Sequence, residues 1–158
     1  MIATEYIVSD SPFVIRRRVK WGDCDPAGVV YTVTFSEYVI SAAELFYERL
    51  LGNTPQSSKD EHGFGTPTRA LTFDFHATLW PDQEFDMTVS VEHIGEHTYT
   101  LNITGTVHGN PAFVAKLTPI CVARGERRAI PIPAIMRDAL LTYQAANPMA
   151  APFRSPQI

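Results

Sequence analysis

The sequence has few of the features that mark nucleic-acid-binding, membrane or disulfide-rich proteins. Its 158 residues carry 13 Lys and Arg against 17 Asp and Glu, so it lacks the basic excess that attracts nucleic acid. No apolar run approaches the roughly 20 residues that span a bilayer. Two cysteines, Cys24 and Cys121, are too few for a disulfide framework. The N-terminal segment MIATEYIVSDSPF lacks the basic start and apolar middle of a secretory signal. These absences predict a cytoplasmic protein with no nucleic-acid or membrane partner.

The composition and length indicate a single globular domain. Apolar residues make up 45% of the chain and charged residues 19%, which is typical of a packed core with a polar surface. A chain of this length is sufficient for one such core. We predict one domain over residues 1–158, with its core at about 13–145 and a loose tail in the C-terminal segment NPMAAPFRSPQI.

One segment has the period of a long and mostly buried helix. Polar residues between Thr34 and Leu51 recur at helical spacing in a single narrow stripe of Glu37, Ser41, Glu44 and Glu48. The side chains around that stripe are apolar or aromatic. Gly52 then supplies a helix stop signal. A helix with so wide an apolar surface must be wrapped by other elements.

The rest of the chain mostly has the period of strands. Alternation first occurs at 13–20, where Phe13, Ile15 and Val19 share one face, and the three-arginine run there is more typical of a solvated strand face than of a phosphate site. Four longer alternating segments occupy 68–79, 84–94, 98–108 and 112–124, joined by short turn-like links. The polar segment 55–65 is predicted to be a surface loop or lid. Ala134 to Gln144 is amphipathic. One early helix and long antiparallel strands predict an α+β fold whose sheet curls around the helix.

The segment WGDCDPAGVVY, from Trp21 to Tyr31, concentrates polar chemistry just before the long helix. A calcium loop is disfavoured, because Ala27 and Thr34 stand where oxygen ligands are needed. Phosphoryl transfer is disfavoured, because no buried apolar strand precedes the first acid. Cys24 as a nucleophile would need a histidine, and all five histidines are distant in sequence. Since neither a calcium loop nor a phosphoryl-transfer site fits this segment, we expect no bound metal.

Two interpretations of the two acids remain open from the residues alone. Asp23 and Asp25 can simply form turns, since an Asp-Pro pair favours a turn start. Alternatively, one carboxylate lies beside the N-terminus of the helix, whose free N–H groups can stabilise an oxyanion. In that case Gly28 would let the backbone approach a substrate closely. A thioester suits such a sparse site, because its thiolate leaves readily.

The same segment resembles the opening of the 4-hydroxybenzoyl-CoA thioesterase family, whose motif is GDxDxxG(I/V)V(W/Y). The resemblance continues in GFGTP (63–67) and CVARGERRAIP (121–131), and extends from about Val19 to Ile135. It implies the hot-dog fold, a long central helix wrapped by a curved antiparallel sheet. It also implies a homodimer, with sheets joined edge to edge and sites at the interface, or a homotetramer. Coenzyme A would be part of the substrate, with no separate cofactor.

The resemblance also implies roles for individual residues. Asp25 would be the nucleophile or general base, and the backbone N–H near Thr32 would polarise the thioester carbonyl, while Asp23 would hold the loop. Gly28 and Tyr31 would contact substrate. Relatives place basic residues near the CoA phosphates at the turn that here reads Gly95-Glu96-His97. A second basic cluster after the last strand could replace them, and it consists of Arg124, Arg127 and Arg128.

The predicted function is hydrolysis of an acyl-CoA thioester. Aromatic residues near the loop are compatible with an aromatic acyl group, although such residues serve core packing equally often. The alternatives are a non-catalytic acyl-thioester-binding domain of the same fold and a thioesterase acting on an acyl carrier protein. A hydratase is disfavoured, because the chain has no segment that pairs an Asp with a His in the required pattern.

Overall fold

The computed structural model describes residues 3–149 and is built from eight strands and three helices. In chain order these are β1 (Glu5–Asp10), β2 (Phe13–Arg18), α1 (Thr34–Leu51), α2 (Pro55–His62), β3 (Phe64–Gly65), β4 (Thr68–Phe75), β5 (Glu84–Ile94), β6 (Tyr99–Val107), β7 (Asn110–Pro119), β8 (Val122–Ala123) and α3 (Ala134–Ala146). A single 3-10 turn, Trp21–Asp23, precedes the acidic loop. No helix in this range is long and apolar enough to cross a membrane.

Six strands form one antiparallel sheet in the order β1-β2-β5-β6-β7-β4. The sequence therefore correctly predicts an α+β fold with a long antiparallel sheet. Strands β3 and β8 form a separate two-stranded ribbon. Within the described chain β4 is a sheet edge, since it pairs with β7 alone. An eight-residue edge strand leaves a row of backbone groups available to a second chain.

Helix α1 has the bounds that the hydrophobic period predicts. Its buried face consists of Phe35, Tyr38, Val39, Ala42, Ala43, Phe46 and Tyr47. These side chains join those of the sheet and of α3 in one hydrophobic core. The helix ends at Gly52, whose φ of 71° is the left-handed conformation that glycine adopts without strain. Eighteen residues at 1.5 Å each make the helix about 27 Å long.

Several local predictions were wrong. The expected loop at 55–65 is helix α2 followed by β3, because Pro55 stands in the first turn, where proline favours a helix. Strand β1 was not predicted. The strand expected over 68–79 ends at Phe75. The strand expected over 98–108 ends at Val107, because His108 and Gly109, which both have positive φ, form the turn between β6 and β7. Of the predicted loose tail, residues 150–158 lie outside the described residues.

Candidate functional site

Residues 23–31 form a small hairpin-like loop directly before α1. The backbone N–H of Asp25 donates to the Val29 carbonyl, and the N–H of Tyr31 donates to the Asp23 carbonyl, both at 2.9 Å. Cys24 and Val30 form an isolated antiparallel bridge between them. The loop is tied to the rest of the fold where the Val30 N–H donates to the Leu79 carbonyl. The chain thus folds back so that the acidic residues and the start of α1 are held together.

Asp25 lies at the tip of this loop and is half-buried. Its Oδ1 accepts a hydrogen bond of 2.9 Å from the Ala27 N–H, and its carbonyl accepts one from the Gly28 N–H. The predicted turn role is therefore present in the structure. Its other carboxylate oxygen, Oδ2, accepts no hydrogen bond from any residue within 3–149. One oxygen of Asp25 fixes the turn, and the second has no hydrogen-bond partner among residues 3–149.

Gly28 closes the turn with a φ of 83°. A side chain in this left-handed region is strained, so the backbone conformation itself favours glycine. A Cβ built at Gly28 meets no atom within 4 Å among the described residues, which leaves open space in front of the loop. The glycine thus serves the turn and leaves open space at the backbone, while a close approach to substrate stays a prediction.

The N-terminus of α1 is not capped by any side chain. Thr34, Phe35 and Ser36 donate their N–H groups to the carbonyls of Tyr31, Thr32 and Val33. The N–H groups of Thr32 and Val33 make no hydrogen bond with other described residues, and both residues are exposed. These two N–H groups, at the positive end of the helix dipole, are therefore available to an anionic or carbonyl oxygen. Tyr31, which precedes them, is 50% exposed.

Asp23 is held in the way expected of a structural residue. Its Oδ2 accepts hydrogen bonds from the Lys20 N–H at 2.9 Å and from the Tyr38 hydroxyl at 2.7 Å. Its carbonyl accepts one more from the Thr34 hydroxyl at 3.1 Å. Burial, together with the hydrogen bond to Asp23, raises the pKa of Tyr38 well above its ordinary value. The phenol therefore remains a hydrogen-bond donor at physiological pH.

Arg17 and Tyr38 were not predicted to support the site. The Arg17 guanidinium lies 5.1 Å from the centre of the Tyr38 ring and donates to Glu5 at 2.8 Å. Only 12% of its side chain is exposed, and Nε is buried with no hydrogen-bond partner in the described chain. Its position could have been read from the sequence, because Arg17 shares the parity of Phe13, Ile15 and Val19, which are all buried. The three-arginine run obscured that alternation.

Cys24 lies between the two acids but its environment does not favour a nucleophile. Burial and the neighbouring carboxylates of Asp23 and Asp25 raise the pKa of its thiol. Its sulfur lies 3.6 Å from the Lys20 carbonyl, which accepts a weak hydrogen bond from it. A raised pKa leaves little thiolate at neutral pH, and the thiolate is the reactive form. No three His, Cys, Asp or Glu side chains between 3 and 149 are grouped to hold a metal ion.

The three predicted phosphate-binding arginines are not near Asp25 within one protomer. Arg124 forms an ion pair with Asp60 of α2, and the Lys59 ammonium of the same helix lies 6.0 Å from the centre of the Tyr47 ring. Tyr47 is 13 residues beyond Thr34 on α1, about 20 Å along the axis at 1.5 Å per residue. Arg128 pairs with Glu126 at 3.1 Å. Arg127 is exposed and makes no ion pair with a described residue.

Three large apolar side chains, close to the loop in sequence or on the edge strand β4, are exposed. Trp21 is 81% exposed and Trp80 is 55% exposed. Trp80 follows Leu79, which holds the loop at Val30, and Phe75 at the end of edge strand β4 is 46% exposed. Scattered apolar residues on a surface need no explanation, but Phe75 lies on the edge strand β4, where its side chain is accessible to a second chain.

The comparisons with known proteins agree with this architecture. The sequence profile of the thioesterase-like superfamily matches residues 19–140. No curated protein sequence matches the chain.

Solved structures resemble the chain over most of its length. A gentisyl-coenzyme A thioesterase is 24% identical, with a TM-score of 0.72, and the match covers 80% of this chain and 98% of that one. A thioesterase-superfamily protein from Jannaschia sp. CCS1 is also 24% identical, with a TM-score of 0.77 and coverage of 90% and 96%. A 1,4-dihydroxy-2-naphthoyl-CoA thioesterase from Synechocystis is 22% identical, with a TM-score of 0.70 and coverage of 82% and 95%.

The predicted hot-dog fold and the predicted thioester hydrolase are both confirmed, the fold by the structures and the activity by the family. The matched profile covers well over half of the chain and begins at the strand end before the acidic loop. It therefore includes Asp25, the start of α1 and most of the sheet. On this basis the chain belongs to the thioesterase-like superfamily.

Proposed function

We propose that the protein hydrolyses acyl-CoA thioesters with the Asp25 carboxylate and the backbone N–H groups of Thr32 and Val33. The observation that carries this proposal is the pairing of a free carboxylate oxygen with uncapped N–H groups on one short loop. The carbonyl oxygen of the thioester would accept from the N–H groups, which stabilise the negative charge that develops on it. Gly28 and Tyr31 would contact the substrate beside them.

The reaction balances with water as the only co-substrate. With Asp25 as general base, the carboxylate takes a proton from water while the oxygen of that water adds to the thioester carbon. With Asp25 as nucleophile, the carboxylate adds first, and water then hydrolyses the resulting anhydride. In either case the carbon–sulfur bond breaks and the thiolate leaves. The products are a carboxylic acid and free coenzyme A, and no metal or cofactor takes part.

Coenzyme A is the preferred carrier in this proposal, with the basic cluster as its phosphate site. Arg124, Arg127 and Arg128 follow β8, and guanidinium groups match the geometry of phosphate. Since Arg124 and Arg128 already contact carboxylates, Arg127 has the most available charge. In the same protomer, this cluster lies near the C-terminal half of α1, whereas Asp25 lies near the N-terminus of that helix. A bound CoA must therefore either extend along the protein or contact the cluster of a second copy.

A homodimer completes the proposed site. Strand β4 is an unpaired edge in the protomer, and pairing it with the same strand of a second copy would satisfy its backbone groups. Phe75 on β4 is exposed and contacts Phe35 at the start of α1, so a partner placed there would cover the substrate's acyl end. A dimer of dimers would be compatible with this arrangement.

An aromatic acyl group is the substrate favoured by the surroundings of the loop. Two solved structures with this fold are described as thioesterases of aromatic acyl-CoAs, the gentisyl and 1,4-dihydroxy-2-naphthoyl enzymes. In this chain Tyr31 and Phe75 offer aromatic surface next to the reacting groups. Offset or edge-to-face contacts with such rings favour a planar acyl group.

The proposal is tested by supplying the purified protein with benzoyl-CoA, acetyl-CoA and benzoyl-acyl carrier protein, and recording the release of free thiol. We expect turnover of the CoA esters, with the aromatic ester preferred. Faster turnover of the carrier-protein ester would identify that alternative substrate. Binding of benzoyl-CoA without any thiol release would identify a non-catalytic binding domain.

A further inference from the structure

Four phenylalanines form a continuous block beneath the first turn of α1, which we call the aromatic wall: Phe35, Phe73, Phe75 and Phe113. The Phe35 ring centre lies 4.9 Å from that of Phe75 and 5.3 Å from that of Phe113. Phe73 stacks on Phe75, with ring centres 5.4 Å apart and planes 6° from parallel. Exposure falls from 46% at Phe75 to 4% at Phe35 and 0% at Phe113. The wall therefore runs from the surface to the core.

Gly105 on β6 lies directly beneath Phe113, the most buried ring of the wall. Gly105 and Phe113 are directly paired across β6 and β7. A Cβ built on Gly105 would lie 2.2 Å from Cε1 of Phe113, closer than two carbon atoms can approach. Gly105 does not have a positive φ, so the backbone conformation does not require glycine. A glycine inside a strand commonly marks a close approach of this kind, and here the space is reserved for the Phe113 ring.

The aromatic wall lies directly beneath the start of α1, where Phe35 contacts both Phe75 and Phe113. Phe35 follows the proposed oxyanion donors Thr32 and Val33 by three and two residues, and its N–H donates to the Thr32 carbonyl at 3.3 Å. An acyl group that entered beneath α1 would meet these rings at once. Two cavities of about 610 and 550 Å³ are present, one between α1 and α3 and one on the face of the sheet that includes Thr88 and Thr104, with Phe73 among its lining residues. Neither is lined by a residue of the acidic loop.

We infer that the aromatic wall limits the depth of the acyl site, and that Phe73 and Phe113 are its specificity-determining residues. The protein therefore accepts short or planar acyl groups, which lie against Phe75 and Phe35, and excludes long unbranched chains. This inference rests on the proposed function, since it takes the N-terminus of α1 as the position of the thioester carbonyl. Hydrophobicity alone would favour the longer chain, because each added CH₂ strengthens burial. The aromatic wall predicts the opposite order of affinities, with the long unbranched chain bound more weakly.

Binding and turnover are measured separately, so that the depth of the site and the reaction are tested independently. Binding of benzoyl-CoA and of decanoyl-CoA is measured by calorimetry with Asp25→Asn, which we expect to consume neither ligand. Benzoyl-CoA should bind at least tenfold more tightly. Adding Phe73→Ala to this variant should shift the ratio of the two affinities by tenfold or more toward decanoyl-CoA. If Phe73→Ala does not fold, Phe73→Leu should give a smaller shift in the same direction.

Phe46→Ala is the matched control. Phe46 is a phenylalanine of the same helix α1 and is 1% exposed, but it contacts Phe13 and Tyr143 rather than the wall. It should destabilise the protein while leaving the affinity ratio unchanged. Equal affinities of Asp25→Asn for decanoyl-CoA and benzoyl-CoA, with all four wall residues intact, would overturn the inference. An unchanged ratio of the two affinities in the folded Phe73 variants would also overturn it. Absence of thiol release by the unsubstituted protein would contradict the proposed function alone, because the binding ratio is measured without turnover.

Discussion

The Tyr38 hydroxyl donates a hydrogen bond of 2.7 Å to Oδ2 of Asp23, which joins helix α1 to the loop that carries Asp25. Tyr38 is completely buried, and Arg17 lies over its ring at 5.1 Å. The Asp23 carbonyl in turn accepts from the Tyr31 N–H, so the loop is held at its base. This contact ties the loop that carries Asp25 to the helix whose start carries the N–H groups of Thr32 and Val33.

Tyr38→Phe should reduce both stability and turnover, because it removes the hydroxyl and keeps the ring. The free energy of unfolding should fall by roughly 1.5–3 kcal/mol, as for other hydrogen bonds to charged groups. Turnover of benzoyl-CoA should fall by roughly tenfold to a hundredfold, since small displacements of reacting groups have effects of that size. Urea unfolding and steady-state thiol release provide the two measurements.

Tyr47→Phe is the matched control for Tyr38→Phe. Tyr47 lies on the same helix, is buried, and accepts a 2.8 Å hydrogen bond from the Tyr99 hydroxyl, far from the acidic loop. Removal of the Tyr47 hydroxyl should lower the free energy of unfolding by roughly 1–3 kcal/mol with little effect on kcat. If both variants lost turnover in proportion to stability, Tyr38 would have no positioning role beyond the fold.

Cys24→Ser should have nearly normal activity. Burial and the carboxylates of Asp23 and Asp25 raise the pKa of the thiol, so the reactive thiolate is scarce at pH 7 and increases only as the pH rises toward that raised pKa. Alkylation by iodoacetamide should therefore be slow at pH 7 and accelerate at higher pH than for a free cysteine. A kcat reduced a hundredfold by Cys24→Ser would identify the thiol as the nucleophile instead.

Phe75→Lys should weaken the proposed dimer. A charge on edge strand β4 would be repeated by symmetry across a β4–β4 interface, where two like charges repel. Leu141→Lys on α3 is the control, since Leu141 has the same 46% exposure as Phe75. Sedimentation at micromolar concentration should give a dimer for the unsubstituted protein and for Leu141→Lys. A stable, active monomer of the unsubstituted protein would contradict the dimer.

The arginine cluster should affect CoA binding and not the chemical step. Replacing Arg124, Arg127 and Arg128 together with Gln should raise KM for benzoyl-CoA and reduce its dependence on salt, with kcat nearly unchanged. Arg127→Gln alone should cause most of the change, because the other two already pair with Asp60 and Glu126. An unchanged KM at all salt concentrations would show that the phosphates bind elsewhere.

The sequence predicts a helix or strand well where one hydrophobic period extends over the whole element. It predicts poorly where a few local contacts determine the structure. The bounds of α1 were correct because its apolar face recurs over five turns, and Gly52 ends it. Helix α2 has only Ser58 buried, so it has no apolar period that could reveal it.

At the site, the motif predicts roles for Asp25 and the start of α1, but it does not predict the contacts that hold the loop. Tyr38 and Arg17 belong to α1 and β2, and their approach to Asp23 depends on how these elements pack. The separation of Arg124 from Asp25 along α1 is likewise a property of the folded chain, because α2 carries Asp60 to the far part of that helix.

The central claim is that the Asp25 carboxylate carries out thioester hydrolysis at the start of α1. The most direct test is the rate of coenzyme A release from benzoyl-CoA by the unsubstituted protein and by Asp25→Asn. This substitution keeps the size of the side chain and an oxygen for the Ala27 N–H, and removes the negative charge. We predict that kcat falls by about a hundredfold or more, as expected when a general base or nucleophile is lost, with little change in the binding of benzoyl-CoA. Equal rates of release by the two proteins would contradict the account.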